Sequence, residues 1–272
     1  MWATAVVSAG RRFTALLRHP AAGTAMATAD WSVADTAAHV LTLAQVYRSL
    51  LGRLDPPAPH VADEILDVVT VDTVADFNEI LLAQIGTREP VRLAGLLEAE
   101  FARMTEAAAG RDPAATVPWL GGSNVPVAGL FGHLVNELHI HGRDIARALG
   151  EPWTIPAPEA ALFFELFLLG VIREGYGTLV DGVTLRDPAR IAVEFHSAHT
   201  TPVTVTLTDD VVSWEPAGGR VDVRVRFDPP TLNLMLFGRL SRARAVAGGG
   251  IRIGGPRPWK ILPFLRKLRM PH

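Results

Sequence analysis

Hydrophobic spacing changes period once along this 272-residue chain, near Pro152, and that change restricts the fold more than any other feature. Before it the spacing is helical. Ser32 followed by Asp35 resembles a capping box, so a helix is expected from Val33 to about Leu54, ended by PPAP (56–59). Helical spacing resumes in VADFNEILLAQIG (74–86) and in VRLAGLLEAEFARMTEAAAG (91–110), with Pro90 at a first-turn position or a break. PWLGGSNVPVAG (118–129) reads as a loop, leading to a helix from about Val127 to Leu149 that Gly150 and Pro152 terminate. Past Pro152, a linker around Pro156 and Pro158 enters one helix over 159–173. Period-two alternation follows in RIAVEFH (190–196), PVTVTLT (202–208) and RVDVRVRF (220–227), the mark of antiparallel strands with one buried face. DPPTLNLMLFGRL (228–240) and PRPWKILPFLRKL (256–268) read as helices, separated by a short strand at GIRIGG (250–255). The expectation is an α+β chain of two domains, a helical bundle over 1–151 and an antiparallel sheet with helices over 152–272. A hydrophobic content of 49% is enough for two buried cores.

The chemistry-bearing residues sit in the helical half. Glu137 and His141, four apart in HLVNELHIHGRD (133–144), project from one helix face roughly 6 Å apart along the axis, so they can offer two ligands to one ion. His39 lies in WSVADTAAHV (31–40), with Val33, Ala37, Val40, Leu41 and Ala44 on the apolar side of its helix; packing the two helices together brings in a third ligand. Two imidazoles and one carboxylate suit catalytic zinc or ferrous iron with positions left open, and no cysteine exists to close a structural site. The competing reading makes His39 a core histidine bonded to a carbonyl and Glu137 a solvated helix residue. Against it, Glu137 stands among Leu134, Leu138, Ile140 and Ile145, where an unpaired carboxylate is costly. His133, one turn before Glu137, is a candidate fourth ligand or a group that orients one, while His139 points elsewhere. Asp35 and Asp144 lie four and three residues from His39 and His141, within reach of an imidazole, with capping and surface pairing as their alternatives.

WSVADTAAHV and NELHIHGRDIARALG (136–150) resemble the second-helix and fourth-helix signatures of the mycothiol-dependent maleylpyruvate isomerase family, whose members are DinB-like four-helix bundles. The resemblance implies a divalent metal, zinc first, held by His39, Glu137 and His141. It also implies mycothiol as cosubstrate, with isomerisation or thiol transfer on an electrophilic small molecule. The position after HG, often aromatic in the family, is Arg143 here, a departure that falls on the substrate pocket and leaves the ligands intact. The second half, over roughly 152–270, resembles a sterol carrier protein-2-like domain through its strand run followed by PTLNLMLFGRL.

Zero cysteine excludes a disulfide framework and a cysteine nucleophile, so any thiol must arrive with a cosubstrate. A net charge of −2 gives no electrostatic reason to expect nucleic acid. Lysine occurs only as Lys260 and Lys267, and the Ala, Arg, Gly and Pro richness fits a GC-rich, actinobacterial genome. MWATAVVSAGRRF lacks a signal-peptide pattern and ALFFELFLLGVI (161–172) is too short to span a bilayer, so a cytoplasmic monomer or homodimer is expected, without stable membrane insertion. An anionic substrate or thiol calls for a cation. Arg143 and Arg239 are the candidate catalytic residues, Arg88 and Arg220 further ones, each with solvated surface arginine as the alternative; Arg143, two residues from His141, is expected off the metal face. Two other functional classes stand beside the enzyme: an apolar-ligand or lipid binder through FFELFLLGVI and NLMLFG, and a metal-binding relative without turnover. His196 and His199 read as a loop pair rather than a second metal site, and WKILPFLRKLRM as a core-packed terminal helix rather than a membrane-surface one.

Overall fold

The computed structural model describes residues 2–52, 68–70, 72–178, 190–208 and 211–267. Four long helices form the first half: α1 (Trp2–Leu17), α2 (Val33–Gly52), α4 (Pro90–Ala108) and α5 (Val127–Leu149), with the shorter α3 (Val74–Ala83) packed on α2. Contacts run α1 to α4, α4 to α2, α2 to α5 and α5 to α1, closing a four-helix bundle in which α1 and α2 face each other diagonally. Local chemistry sets the ends. Ser32 Oγ accepts from Asp35 N–H at 3.1 Å while Asp35 Oδ2 accepts from Ser32 N–H at 3.2 Å, a reciprocal box that starts α2. Pro90 opens α4 with the Glu89 carboxylate accepting from Val91 and Arg92 N–H. α5 stops at Gly150, whose φ of 72° lets Glu151 N–H return to Ala146 C=O at 2.8 Å.

The loop expected over 118–129 contains a two-stranded hairpin, β1 (Thr116–Trp119) and β2 (Ser123–Pro126), paired antiparallel. A two-stranded ribbon consists of edges alone, so Pro118 and Pro126 are tolerated where a central strand would exclude them.

The segment expected as one helix over 159–173 is α6 (Ala157–Leu162), a π-helical turn (Phe163–Leu168) and α7 (Leu169–Glu174). It lies along α5 so closely that a Cβ on Gly132 would stand 2.7 Å from Leu162 C=O. The wider π turn divides its aromatic residues between two apolar clusters. Phe163 and Phe167 join the bundle core, whereas Phe164 and Leu169 join the core beneath the sheet.

That sheet has the order β5-β4-β3-β6-β7, from β3 (Ile191–Ser197), β4 (Thr200–Thr208), β5 (Val211–Pro216), β6 (Val223–Phe227) and β7 (Ile251–Gly254). β3 with β4, β4 with β5 and β6 with β7 are antiparallel, and β3 with β6 is parallel, which makes the sheet mixed. β5 and the helix α9 (Arg242–Ala247) were not expected from sequence; α8 (Pro229–Leu236) and α10 (Ile261–Lys267), the latter preceded by a 3-10 turn at Pro258–Lys260, fall within expected helices. The strand expected from Arg220 begins at Val223, because Asp222 turns inward to accept from Ala192 N–H. Among the described residues α2 ends at Gly52, and Leu54 and PPAP lie outside them. No helix among the described residues is long and apolar enough to cross a membrane.

Candidate metal centre

α2 and α5 cross where His39 and Glu137 meet. His39 Nε2 lies 3.5 Å and His141 Nε2 3.2 Å from the same carboxylate oxygen, Glu137 Oε2. All three side chains are buried, at 4%, 7% and 8% exposure for His39, Glu137 and His141. Ligands about 2.0–2.1 Å from a tetrahedral ion stand about 3.4 Å apart, so these separations suit one ion bound to all three. Among the described residues no other group of three His, Cys, Asp or Glu side chains converges in this way.

The electrostatics favour a cation. Burial pushes the His39 and His133 imidazoles below their ordinary range, toward the neutral form, the Glu137 contact offsetting only part of this for His39. Burial opposes ionisation of Glu137 as well, yet hydrogen bonds from His141 and His39 and the proximity of His133 hold its carboxyl well below the usual range. The trio thus holds a carboxylate that stays ionised although buried, an arrangement suited to a divalent cation.

His133 Nε2 lies 3.9 Å from Glu137 Oε1, and its Nδ1 shares a 2.7 Å hydrogen bond with the Tyr47 hydroxyl. Sequence reasoning missed Tyr47. The signal was present in the four-residue repeat His39, Leu43, Tyr47 along α2. Burial first, then Glu137, raises the Tyr47 pKa well above normal, so the phenol stays protonated.

Neither aspartate expected to orient an imidazole does so. Asp35 is held by Ser32 and by Arg88 Nε at 2.7 Å, and Asp144 by Arg239, whose Nε and Nη2 both donate to Oδ2. His39 Nδ1 and His141 Nδ1 are buried without a hydrogen-bond partner among the described residues, and the Trp31 ring packs 4.9 Å from that of His39. His139 faces away and pairs through Nε2 with Glu159 at 2.8 Å. His196 pairs with Glu194, and His199 is exposed.

A cavity of about 860 Å³ opens on the trio. Arg143 and Arg239 both line it, so a position off the metal face of α5 still reaches the same cavity; Asp144 and Arg147 line it too. Arg88 and Arg220 do not.

The pKa directions give a prediction for metal-free protein. Groups whose native pKa lies below the unfolded value contribute stability above the unfolded pKa and lose it as pH falls. Below about pH 6.5, His39 and His133 are therefore expected to cost up to about 1.4 kcal/mol per pH unit each, with Glu137 adding to the loss only below its ordinary range. Urea midpoints from pH 8 to 5 should fall toward acid, and less steeply in His39→Gln; a flat or rising profile contradicts the assignment.

Fold and site together define a helical bundle with a buried His-Glu-His centre, joined to a mixed-sheet region. The family model for the mycothiol maleylpyruvate isomerase N-terminal domain matches residues 3–146, and the chain belongs to that family. Two solved structures of mycothiol-dependent maleylpyruvate isomerase are similar, one of them a mutant form. Each is 17% identical and covers 94% of both chains, with TM-scores of 0.49 for the mutant and 0.47 for the other. No curated protein matches.

Proposed function

We propose that this chain is a divalent-metal-dependent enzyme that uses mycothiol to isomerise, or to transfer the thiol to, an electrophilic small molecule. The observation that carries the reading is the convergence of His39 and His141 Nε2 on one Glu137 oxygen beside a cavity, in a chain of this family. His39, Glu137 and His141 would hold the ion, with zinc the natural occupant of two imidazoles and one carboxylate. When bound, the metal would favour the ionised form of a small thiol and polarise a substrate carbonyl.

The rest falls to the chain's own residues. A free thiol of pKa about 8.5 is only about 3% ionised at pH 7, so complete ionisation is worth about thirtyfold, or roughly 2 kcal/mol. Positioning must supply most of the acceleration. His133, hydrogen-bonded through Nδ1 to Tyr47, places its Nε2 3.9 Å from the second Glu137 oxygen, close enough to act on the carboxylate electrostatically. Arg143 and Arg239 are placed to meet an anionic group of substrate or thiol, Arg143 with the freer guanidinium because Arg239 is engaged by Asp144. In isomerisation the sulfur adds to one carbon of a conjugated cis double bond and the electron pair moves onto the carbonyl. The resulting single bond rotates, and the sulfur leaves with the double bond restored. In transfer the enolate instead takes up the proton that the thiol lost, and the thioether adduct is kept. We further propose that the chain divides near residue 151 into the bundle and a sterol carrier protein-2-like α+β domain, and that it works in the cytoplasm.

The test is turnover of cis enones or enoates with zinc-loaded protein and mycothiol, followed by chromatography of isomers and adducts. Turnover that requires both thiol and metal is expected; the same rate with thiol alone overturns the proposal.

A further inference from the structure

The cavity that opens on the trio does not end in the bundle. It continues along the segment 157–174 to the inner face of the sheet, where Phe164, Leu169, Phe195, Val205, Val212 and Leu232 line it. Phe167 on the bundle side and Phe164 and Phe195 on the sheet side are among its lining rings. The His133 ring lies 4.4 Å from that of Phe167, and on the other side of the π turn Phe164 lies 5.5 Å from Phe195.

The chemistry of the wall changes along this route. Near the trio it carries imidazoles, Asp30, Arg143 and Arg239; beneath the sheet it carries apolar side chains and the Tyr176 hydroxyl, which already accepts from Val212 N–H at 2.9 Å. Hydrogen bonds from Thr201 N–H to Glu165 and from the Trp214 indole to Leu169 C=O hold the sheet against this segment, so the chamber is framed by fixed elements. Protein interiors are close-packed, and a void forfeits the dispersion contacts of its lining. An apolar chamber within a cavity of about 860 Å³ is therefore a binding feature, in the size range of sites for whole organic ligands.

From this continuity we infer that the substrate is amphipathic: its electrophilic, polar end lies at the trio and a hydrocarbon portion of the same molecule fills the chamber beneath the sheet. The inference rests on the proposed chemistry for the reactive end only; the apolar subsite stands on the cavity wall alone.

Calorimetric titration of the zinc-loaded full chain with straight-chain alkanoates, from butanoate to dodecanoate, tests the subsite without turnover. Each added methylene is expected to tighten binding about fourfold until the chamber is full. Ile172→Trp and Leu236→Trp, at half-buried lining positions, should each end that gain at a shorter chain. Affinity that is the same from butanoate to dodecanoate, or a gain that both tryptophan variants leave unchanged, overturns the inference. In His39→Ala the gain per methylene should persist without metal. Persistence of the gain in a wild-type protein with no thiol-dependent turnover supports the subsite while overturning the proposed enzyme function.

Discussion

Glu137→Gln and His39→Ala are each expected to take the bound metal of purified, zinc-loaded protein from about one ion per chain to none, measured by elemental analysis. The magnitude follows from the donor set. Glu137 supplies the only carboxylate among the three proposed ligands, and its Oε2 is the point on which both imidazoles converge. Stability separates this from general damage. In metal-free protein the glutamine variant keeps the shape of the side chain but loses the ionised acceptor on which His39 and His141 converge, so it should unfold somewhat more easily than wild type yet still in one cooperative transition. Wild type with metal at a hundredfold excess over its dissociation constant gains about 2.7 kcal/mol, a rise in Tm of about 5–10 °C. That rise should vanish in both variants. Retention of one ion per chain by either variant, or an undiminished thermal shift, shows that the trio is not the metal centre.

How much of this was legible in the sequence depends on the range over which each feature is determined. Glu137 and His141 share a face through helical geometry alone, and α5 was bounded correctly because Gly150 supplies its left-handed stop. His39 is different: its contact with Glu137 exists only because α2 crosses α5, a tertiary fact that the family resemblance carried and the spacing did not. Arg143 shows the limit of face-counting. At two residues from His141 it should point away, yet the wall of the cavity wraps around α5 and is completed by residues from beyond position 230, which no helical wheel of α5 contains. Asp35 was readable in two ways, and the cap prevailed because its carboxylate meets Ser32 within the same turn and Arg88 from the segment before α4. The β1 and β2 hairpin shares its Gly and Pro content with a loop, and the π turn preserves apolar spacing while shifting which ring faces which core, so neither left a distinct signature.

Arg239→Met is expected to destabilise the protein by about 3 kcal/mol, well beyond the effect of removing an exposed arginine. Its guanidinium joins the region after β6 to α5 through two hydrogen bonds to Asp144 Oδ2, at 3.0 and 2.8 Å, across 95 residues of sequence. The Asp144 side chain is only 2% exposed, with Arg143 no closer than 4.0 Å, so loss of Arg239 leaves a buried carboxylate nearly unpaired. The reverse change costs less. Arg239 is 22% exposed and also donates to Phe237 C=O at 2.7 Å, so in Asp144→Asn the cation keeps one partner and gains water. The order expected from urea midpoints is wild type, then Asp144→Asn, then Arg239→Met. Adding Asp144→Asn to Arg239→Met should recover part of the loss, since the double variant no longer buries an unpaired charge. If Arg239→Met unfolds at the wild-type midpoint, the ion pair does not fasten the two regions, and Arg239 is then free to serve the cavity as a substrate-binding cation.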